Sequence, residues 1–394
     1  MPVESLWLSR LDARDRARLR PVPSSPPAAV DVLVVGGGLV GLWIAWYLSH
    51  RGAGRVMVVD AGSIGGGASS ANAGGLFAGQ LRFDFPEPFR QLAVDSRELY
   101  AEQVDDGPLD RRDIEFRRNG SLAIVADWPD SPAEYASRET RCGRRADWLE
   151  AASLADIEPA ISSSFSHGLF CPDDATLDPV RTTLALVESL DDVGVVLASG
   201  VSVDELLVSG GRVEAAVTPG GRIAAGSVVL ASGWSTPRLA GGLGLTLPVQ
   251  PAKGQMIATA PMSPVLRTNI LGDHMIRQLP SGEIIAGGTI EFVGPDLEPT
   301  RLAQDEVLEA VHRTLPGLAD ATVESTWVGL RPHTPDEMPV IDRVPGIGNA
   351  WIAAGHFTKG LLLAPVTGQM IAEWIVDGQP SRDIGYLGWN RFAG

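Results

Sequence analysis

The sequence predicts an α/β protein of two domains, the first a Rossmann-like parallel sheet. Three observations predict it. A strand, a glycine turn and a helix follow one another near the start of the chain. A second strand then ends in an acid. The length, 394 residues, exceeds what one ordinary core absorbs. Hydrophobic residues make up 44% of the chain, enough to fill two cores and to argue against disorder over most of it.

Residues 30–35 read Val-Asp-Val-Leu-Val-Val, apolar except for Asp31, as suits a parallel strand buried on both faces. Gly36, Gly38 and Gly41 follow at GxGxxG spacing, and residues 39–49 read as a helix. The first two glycines allow a tight turn and close approach of a pyrophosphate, and the third lets helix and strand pack. The phosphates would sit on the helix N-terminus, where N–H groups and the dipole favour negative charge. Residues 55–59 form a second strand that ends in Asp60, about 20 residues beyond the turn, where a carboxylate accepts hydrogen bonds from the adenosine ribose. A glycine turn without a ligand and an ordinary exposed acid are the alternatives.

The fingerprint does not say which dinucleotide binds. Two further glycine-rich segments point to a flavin. Residues 65–75 read Gly-Gly-Gly-Ala-Ser-Ser-Ala-Asn-Ala-Gly-Gly, small residues where a backbone passes close to something flat or charged; a flexible Gly/Ser linker is the alternative. A strand over 350–354 runs into Gly355-His-Phe-Thr-Lys-Gly360 and a helix over 361–376. Such a helix start aims N–H groups into the cleft and stabilises negative charge on the N1–C2=O edge of a reduced flavin. A plain turn before a buried helix is the alternative there.

A formal net charge of −16 argues against a nucleic-acid groove, which needs clustered Lys and Arg. The expected partner is a small molecule. Cys142 and Cys171 are the only cysteines, so no disulfide framework and no metal cluster is expected, and a reducing cytoplasm fits. The first 28 residues, with Arg10, Arg14, Arg16, Arg18 and Arg20 among acids, read as a tail that wraps the surface. No stretch reaches the roughly 20 apolar residues of a membrane span.

Several segments carry a resemblance. Thr326-Trp-Val-Gly-Leu-Arg-Pro332, Thr334-Pro-Asp-Glu-Met-Pro-Val-Ile341, Ala353-Ala-Gly-His-Phe357 and Gly360-Leu-Leu-Leu-Ala-Pro-Val-Thr-Gly368 together resemble the C-terminal signature of the glycine oxidase group in the D-amino acid oxidase superfamily of flavoproteins. Val228-Val-Leu-Ala-Ser-Gly-Trp234 and Pro251-Ala-Lys-Gly-Gln255 are similar to its third FAD-contacting strand and its entry to the substrate domain. The resemblance runs over about 30–378, while the N-terminal tail is more similar to relatives that oxidise glutamylated polyamines.

The resemblance implies a glutathione-reductase-type FAD domain from residues 29–90, 172–236 and 327–384. It also implies a discontinuous α+β substrate domain, built on an antiparallel sheet, from 91–171 and 237–326, with 385–394 a tail. Residues 115–126 and 283–291 read as strands of that sheet. The implied activity is oxidation of the C–N bond of a small amino acid or related amine by hydride transfer to FAD. Arg331 would bind the substrate carboxylate through two parallel hydrogen bonds; pairing with Asp336 or Glu337 is the structural alternative. His356 would brace the flavin loop or act as a base. Ser69, Ser70, Asn72, Ala73, Gly74, Val201, Gly233, Trp234, Gly355, Thr358, Lys359 and Gly360 are further candidate cofactor contacts. Met275 stands where a pocket tyrosine is expected, and Arg277, two residues on along a strand, would offer a second anion site if it faced the cleft. Lys253 reads as a structural ion pair.

Thr358 and Lys359 replace the Arg-Asn of the glycine oxidase pattern. Gly329 and about Ile285 stand where related sarcosine oxidases have a flavin-linking cysteine and an oxygen-activating lysine. Non-covalent FAD follows, with either dioxygen or another acceptor as oxidant. A quinone- or partner-linked amine, opine or D-amino acid dehydrogenase, a flavin-carrying subunit and a nicotinamide dehydrogenase are the alternatives. Oligomeric state is left open.

Overall fold

The computed structural model describes residues 3–23, 27–82, 84–124 and 132–393. A first sheet runs in the order Val340–Arg343, Ala350–Ala354, Gly221–Leu230, Ala29–Val35, Val56–Asp60, Val196–Ser199. All its neighbours are parallel except the first pair. A hairpin of Glu205–Ser209 and Arg212–Thr218 extends Gly221–Leu230. Val32 to Val35 are all buried, as the unbroken apolar run requires of a strand covered on both faces. The helices Leu39–His50 and Gly360–Val376 cover one face and cross closely: a Cβ at Gly368 would lie 2.6 Å from the Trp43 carbonyl carbon.

The second sheet runs Val323–His333, Gln250–Thr259, Ile284–Gly287, Met275–Gln278, Asn269–Leu271, Ser121–Ala123, His167–Cys171, Asp147–Glu150. It is antiparallel apart from the pair Asn269–Leu271 and Ser121–Ala123. Of the strand expected over 115–126, Ser121–Ala123 forms and Arg117 makes an isolated bridge to Thr176, with positive φ at Glu115 (56°) and Gly120 (73°) on either side of it; residues 125–126 lie outside the described residues. The strand expected over 283–291 is Ile284–Gly287. Gly287 and Gly288, with φ of 154° and 118°, interrupt the ladder there, and the chain pairs with the same neighbour again at Glu291, bridged to Lys253.

Packing differs from the expected segment limits at several places. Helix Glu87–Asp105 runs across the limit at 90 and buries Phe89, Leu92 and Tyr100 in the core of the first sheet. Leu239, Ala240, Leu245 and Val249 pack on the first sheet, beyond the limit at 236. The limit at 326 falls inside Val323–His333. Both terminal segments lie along the surface and are anchored by a few buried side chains. Trp7 and Leu19 are buried with Leu184, Met256 and Trp327, and Leu387 is fully buried while Arg391 pairs with Asp336 at 2.7 Å. Burial of a large aromatic stabilises by about 1.5–3 kcal/mol, which outweighs the freedom a loose segment would keep.

Candidate active site

The turn after Ala29–Val35 is held by main-chain crossings. Gly36 has φ 117°, and a Cβ there would lie 2.4 Å from the Ala231 carbonyl oxygen; a Cβ at Gly41 would lie 1.9 Å from the Gly36 carbonyl oxygen. Gly41 therefore shapes the turn from behind and does not line the cavity. Gly36 and Gly38 do line it. Ser69 Oγ accepts the Leu39 N–H at 3.0 Å, which ties the loop after the second strand to the first turn of the helix. Asp60 accepts from Gly37 N–H at 2.8 Å and Gly62 N–H at 2.7 Å, and burial pushes its carboxyl pKa up. Each carboxylate oxygen retains a further lone pair for a hydroxyl donor.

One cavity of about 730 Å³ runs from Asp60 and Val201 past the glycine turn to Met275, Thr358 and Arg331. It lies within the usual size range of cofactor and ligand pockets. Ser69, Asn72, Ala73, Gly233, Trp234, His356 and Gly360 also line it. Gly360 opens the helix Gly360–Val376, so free N–H groups of that helix face the cavity, as anion stabilisation requires. These features fit a dinucleotide: a backbone cradle without side chains, a ribose-side acid and a helix N-terminus further along.

Other expected contacts stand behind the wall. Ser70 donates to Gly67 O at 3.3 Å, and Gly74 (φ 75°) donates to Asn72 Oδ1 at 2.8 Å. Gly355, also at φ 75°, turns where a Cβ would meet the Thr334 methyl at 2.5 Å. Lys359 is buried over the rings of Phe85 and Phe357 and donates to Glu337 O at 3.2 Å. Its desolvation lowers its pKa to about 8.

Arg277 is corrected: it does not face the cleft. It is buried, donates through Nη1 to Ala73 O at 2.7 Å and lies 5.8 Å from the centre of the Trp7 ring. Met275 does line the cavity, but two residues further along the strand the same face is covered by the 71–74 segment and Trp7.

Arg331 lines the cavity and donates through Nη1 to Thr289 O at 2.6 Å. Among the described residues no carboxylate pairs with it. Asp336 is taken by Arg391, and Glu337 by Arg82 and Lys359, which removes the structural pairing expected as the alternative. Desolvation lowers the guanidinium pKa to about 10, so it stays charged near neutral pH. The room for it comes from Gly254, where a Cβ would lie 2.2–2.4 Å from three guanidinium atoms. Sequence reasoning read the Pro-x-Lys-Gly segment for its lysine. Lys253 is buried and pairs with Asp296 at 2.6 Å, the structural ion pair expected of it, and the neighbouring Gly254 is the part that matters to the cavity.

His356 is buried, lies 3.1 Å from Thr367 Oγ1 through Nε2, and is neutral because burial drops its pKa to about 3. Gly329 lines the cavity, Ile285 is buried in the sheet, and neither cysteine reaches the cavity. Among the described residues no cluster could hold a metal ion, and no helix is long and apolar enough to cross a membrane.

A parallel sheet carrying a GxGxxG turn, roofed by an antiparallel sheet across one shared cavity, defines a dinucleotide-dependent α/β oxidoreductase. Residues 31–374 match the family described as FAD dependent oxidoreductase (DAO), and the chain belongs to it. It is 31% identical over 369 residues to glycine oxidase from Pseudomonas putida, covering 91% of this chain and 99% of that protein. The crystal structure of glycine oxidase from Geobacillus kaustophilus superposes with a TM-score of 0.87 at 26% identity, covering 93% of this chain and all of that one. L-proline dehydrogenase from P. horikoshii gives a TM-score of 0.84 at 25% identity, covering 93% and 99%. The chain is accordingly an FAD-dependent oxidoreductase acting on amino donors.

Proposed function

We propose that this chain oxidises the C–N bond of a small amino acid or N-substituted amino acid that carries one free carboxylate. The observation that carries the reading is Arg331, a desolvated guanidinium on the cavity wall with no carboxylate partner among the described residues. A buried, unpaired charge is costly unless a ligand completes it, and a carboxylate does so through two parallel hydrogen bonds. Anchoring the carboxylate fixes the α-carbon, and positioning is most of what such a site must provide.

FAD, when bound, would supply the two-electron acceptor for the hydride that the substrate carbon gives up. The chain's own residues would hold the reactants: the backbone at Gly36 and Gly38 would take the pyrophosphate, Asp60 the ribose, and the N-terminus of Gly360–Val376 the flavin's anionic edge. Neither cysteine lines the cavity, so no thioether bond would tie the cofactor to the chain. His356 is neutral and hydrogen-bonded, a brace rather than a base. The substrate therefore reacts as its neutral amine, having lost a proton to solvent. The resulting imine hydrolyses to an oxo acid or aldehyde plus ammonia or an amine.

Dioxygen is one acceptor. A quinone- or partner-linked dehydrogenase is the second reading, favoured by the lack of any lysine among the described cavity residues. The two unpaired cysteines suit a reducing compartment such as the cytoplasm. Anaerobic mixing of the yellow protein with a panel of amino acids, N-alkyl glycines and their decarboxylated amines tests the proposal. Bleaching by carboxylate-bearing amines supports it, and bleaching confined to amines without a carboxylate overturns it.

A further inference from the structure

The cavity segment between Ala68 and Gly75 has no strong secondary structure of its own, only one turn of helix and a two-residue strand. What fixes it is a row of donors from distant parts of the chain. Trp327 Nε1 donates to Ala71 O at 2.9 Å, Trp7 Nε1 to Asn72 O at 2.9 Å, Arg277 Nη1 to Ala73 O at 2.7 Å, and the Leu177 N–H to Gly74 O at 2.9 Å. Four successive carbonyls are thus held by four separate elements. Ala71, Asn72 and Ala73 themselves line the cavity.

One of those donors comes from the N-terminal segment, and that segment bridges the two sheets. Toward the first sheet, Pro21 O accepts the Ser199 N–H at 2.9 Å and Leu19 O accepts the Ile64 N–H at 2.9 Å. Asp15 pairs with Arg112 at 2.7 Å and Arg18 with Glu188 at 3.0 Å. Toward the second sheet, Arg10 pairs with Glu283, and the Trp7 ring covers the Arg277 guanidinium. Among the described residues Arg277 Nε has no hydrogen-bond partner, while Nη1 is anchored on the Ala73 and Leu177 carbonyls, under the Trp7 ring.

We infer that residues 3–23 form an intramolecular clamp that holds the 71–73 carbonyls, and with them the cavity wall, in the cofactor-binding conformation, with Trp7 and Arg277 as its positioning residues. A peptide carbonyl left without its donor in a buried place drives the segment toward other conformations. Cofactor affinity then falls by the fraction of molecules that remain competent. The segment that reads as a tail thus becomes part of the cofactor site and couples the substrate sheet to it.

The test uses the full chain, loaded with FAD, and reads cofactor release rather than turnover. Trp7→Phe keeps the packing and removes the donor; Arg277→Met removes the other. Each is expected to speed FAD release, followed by the rise of flavin fluorescence, about three- to ten-fold, the effect of one hydrogen bond of ordinary net strength. Each should also shrink the rise in Tm that added FAD gives the apoprotein, because weaker binding means less ligand stabilisation. Arg277→Lys, which keeps a donor, should recover part of the loss. A purely structural role would lower the Tm of apo and FAD-loaded protein equally and leave release at the wild-type rate. That result in both Trp7→Phe and Arg277→Met overturns the clamp. A wild-type chain that failed to retain FAD would instead contradict the cofactor assignment, a separate failure visible before any variant is made.

Discussion

The two halves of the cavity meet their ligands by different means. At Gly36 to Gly41 recognition is written in the main chain, by a positive φ, two carbonyl crossings a Cβ would break and a helix N-terminus. At Arg331 it rests on one side chain, whose space is made by Gly254 on the neighbouring strand and whose direction is set by Thr289 O beyond the next one. The first half is local in sequence, so a change there breaks the turn outright. The second is assembled by strand register, so a change there leaves the fold and moves only the ligand's anchor.

The contrast breaks first, and most severely, at Gly41. Gly41→Val places a Cβ 1.9 Å from the Gly36 carbonyl oxygen, a backbone atom that cannot step aside. The variant should purify without flavin, read from its flavin-to-protein absorbance ratio; full FAD content would refute the cradle. Gly254→Ala should act in the opposite way. Its methyl meets the Arg331 guanidinium, the end of a side chain and not a backbone atom, so FAD content stays normal while the bleaching rate at low substrate falls on the order of ten- to a hundred-fold, as displaced anchors do. Loss of FAD in that variant would show that the two halves are not separable.

A smaller effect concerns His356, which belongs to the cofactor half yet carries a titratable group. Burial holds its pKa near 3 against an ordinary value of 6.5. Between those values the unfolded chain binds the extra proton, so stability should fall as pH drops from about 6.5 toward 3. Denaturation midpoints measured across that range should fall less steeply in His356→Asn. An unchanged slope would mean that the imidazole is already charged or reaches water.

The same division explains what could be read from the sequence. Gly36, Gly38, Gly41 and Asp60 sit within one strand–turn–helix–strand unit, so spacing alone located them. The helix start at Gly360 was visible for the same reason. Arg331 could be singled out only through the resemblance, since nothing near it in sequence says that Asp336 and Glu337 are taken by Arg391, Arg82 and Lys359. Strand alternation placed Arg277 beside Met275 on a cavity face. The guanidinium is instead covered by Trp7 and the 71–74 segment, a contact spanning more than 200 residues that no local pattern encodes. The N-terminal arginines likewise suggested a tail that wraps the surface, because charge is visible in sequence while the anchoring of that tail by buried Trp7 and Leu19 is not.

Whether Arg331 holds a substrate carboxylate is read most directly from anaerobic flavin bleaching by an amino acid and by its decarboxylated amine, in wild type and in Arg331→Ala. Removing one partner of a buried charge pair costs about 2–5 kcal/mol. The variant should therefore lose that much in bleaching rate over affinity for the amino acid, keep its FAD, and treat the decarboxylated amine as the wild type does. Arg331→Lys should recover only part. Equal losses for both substrates would contradict the account and leave Arg331 a structural residue.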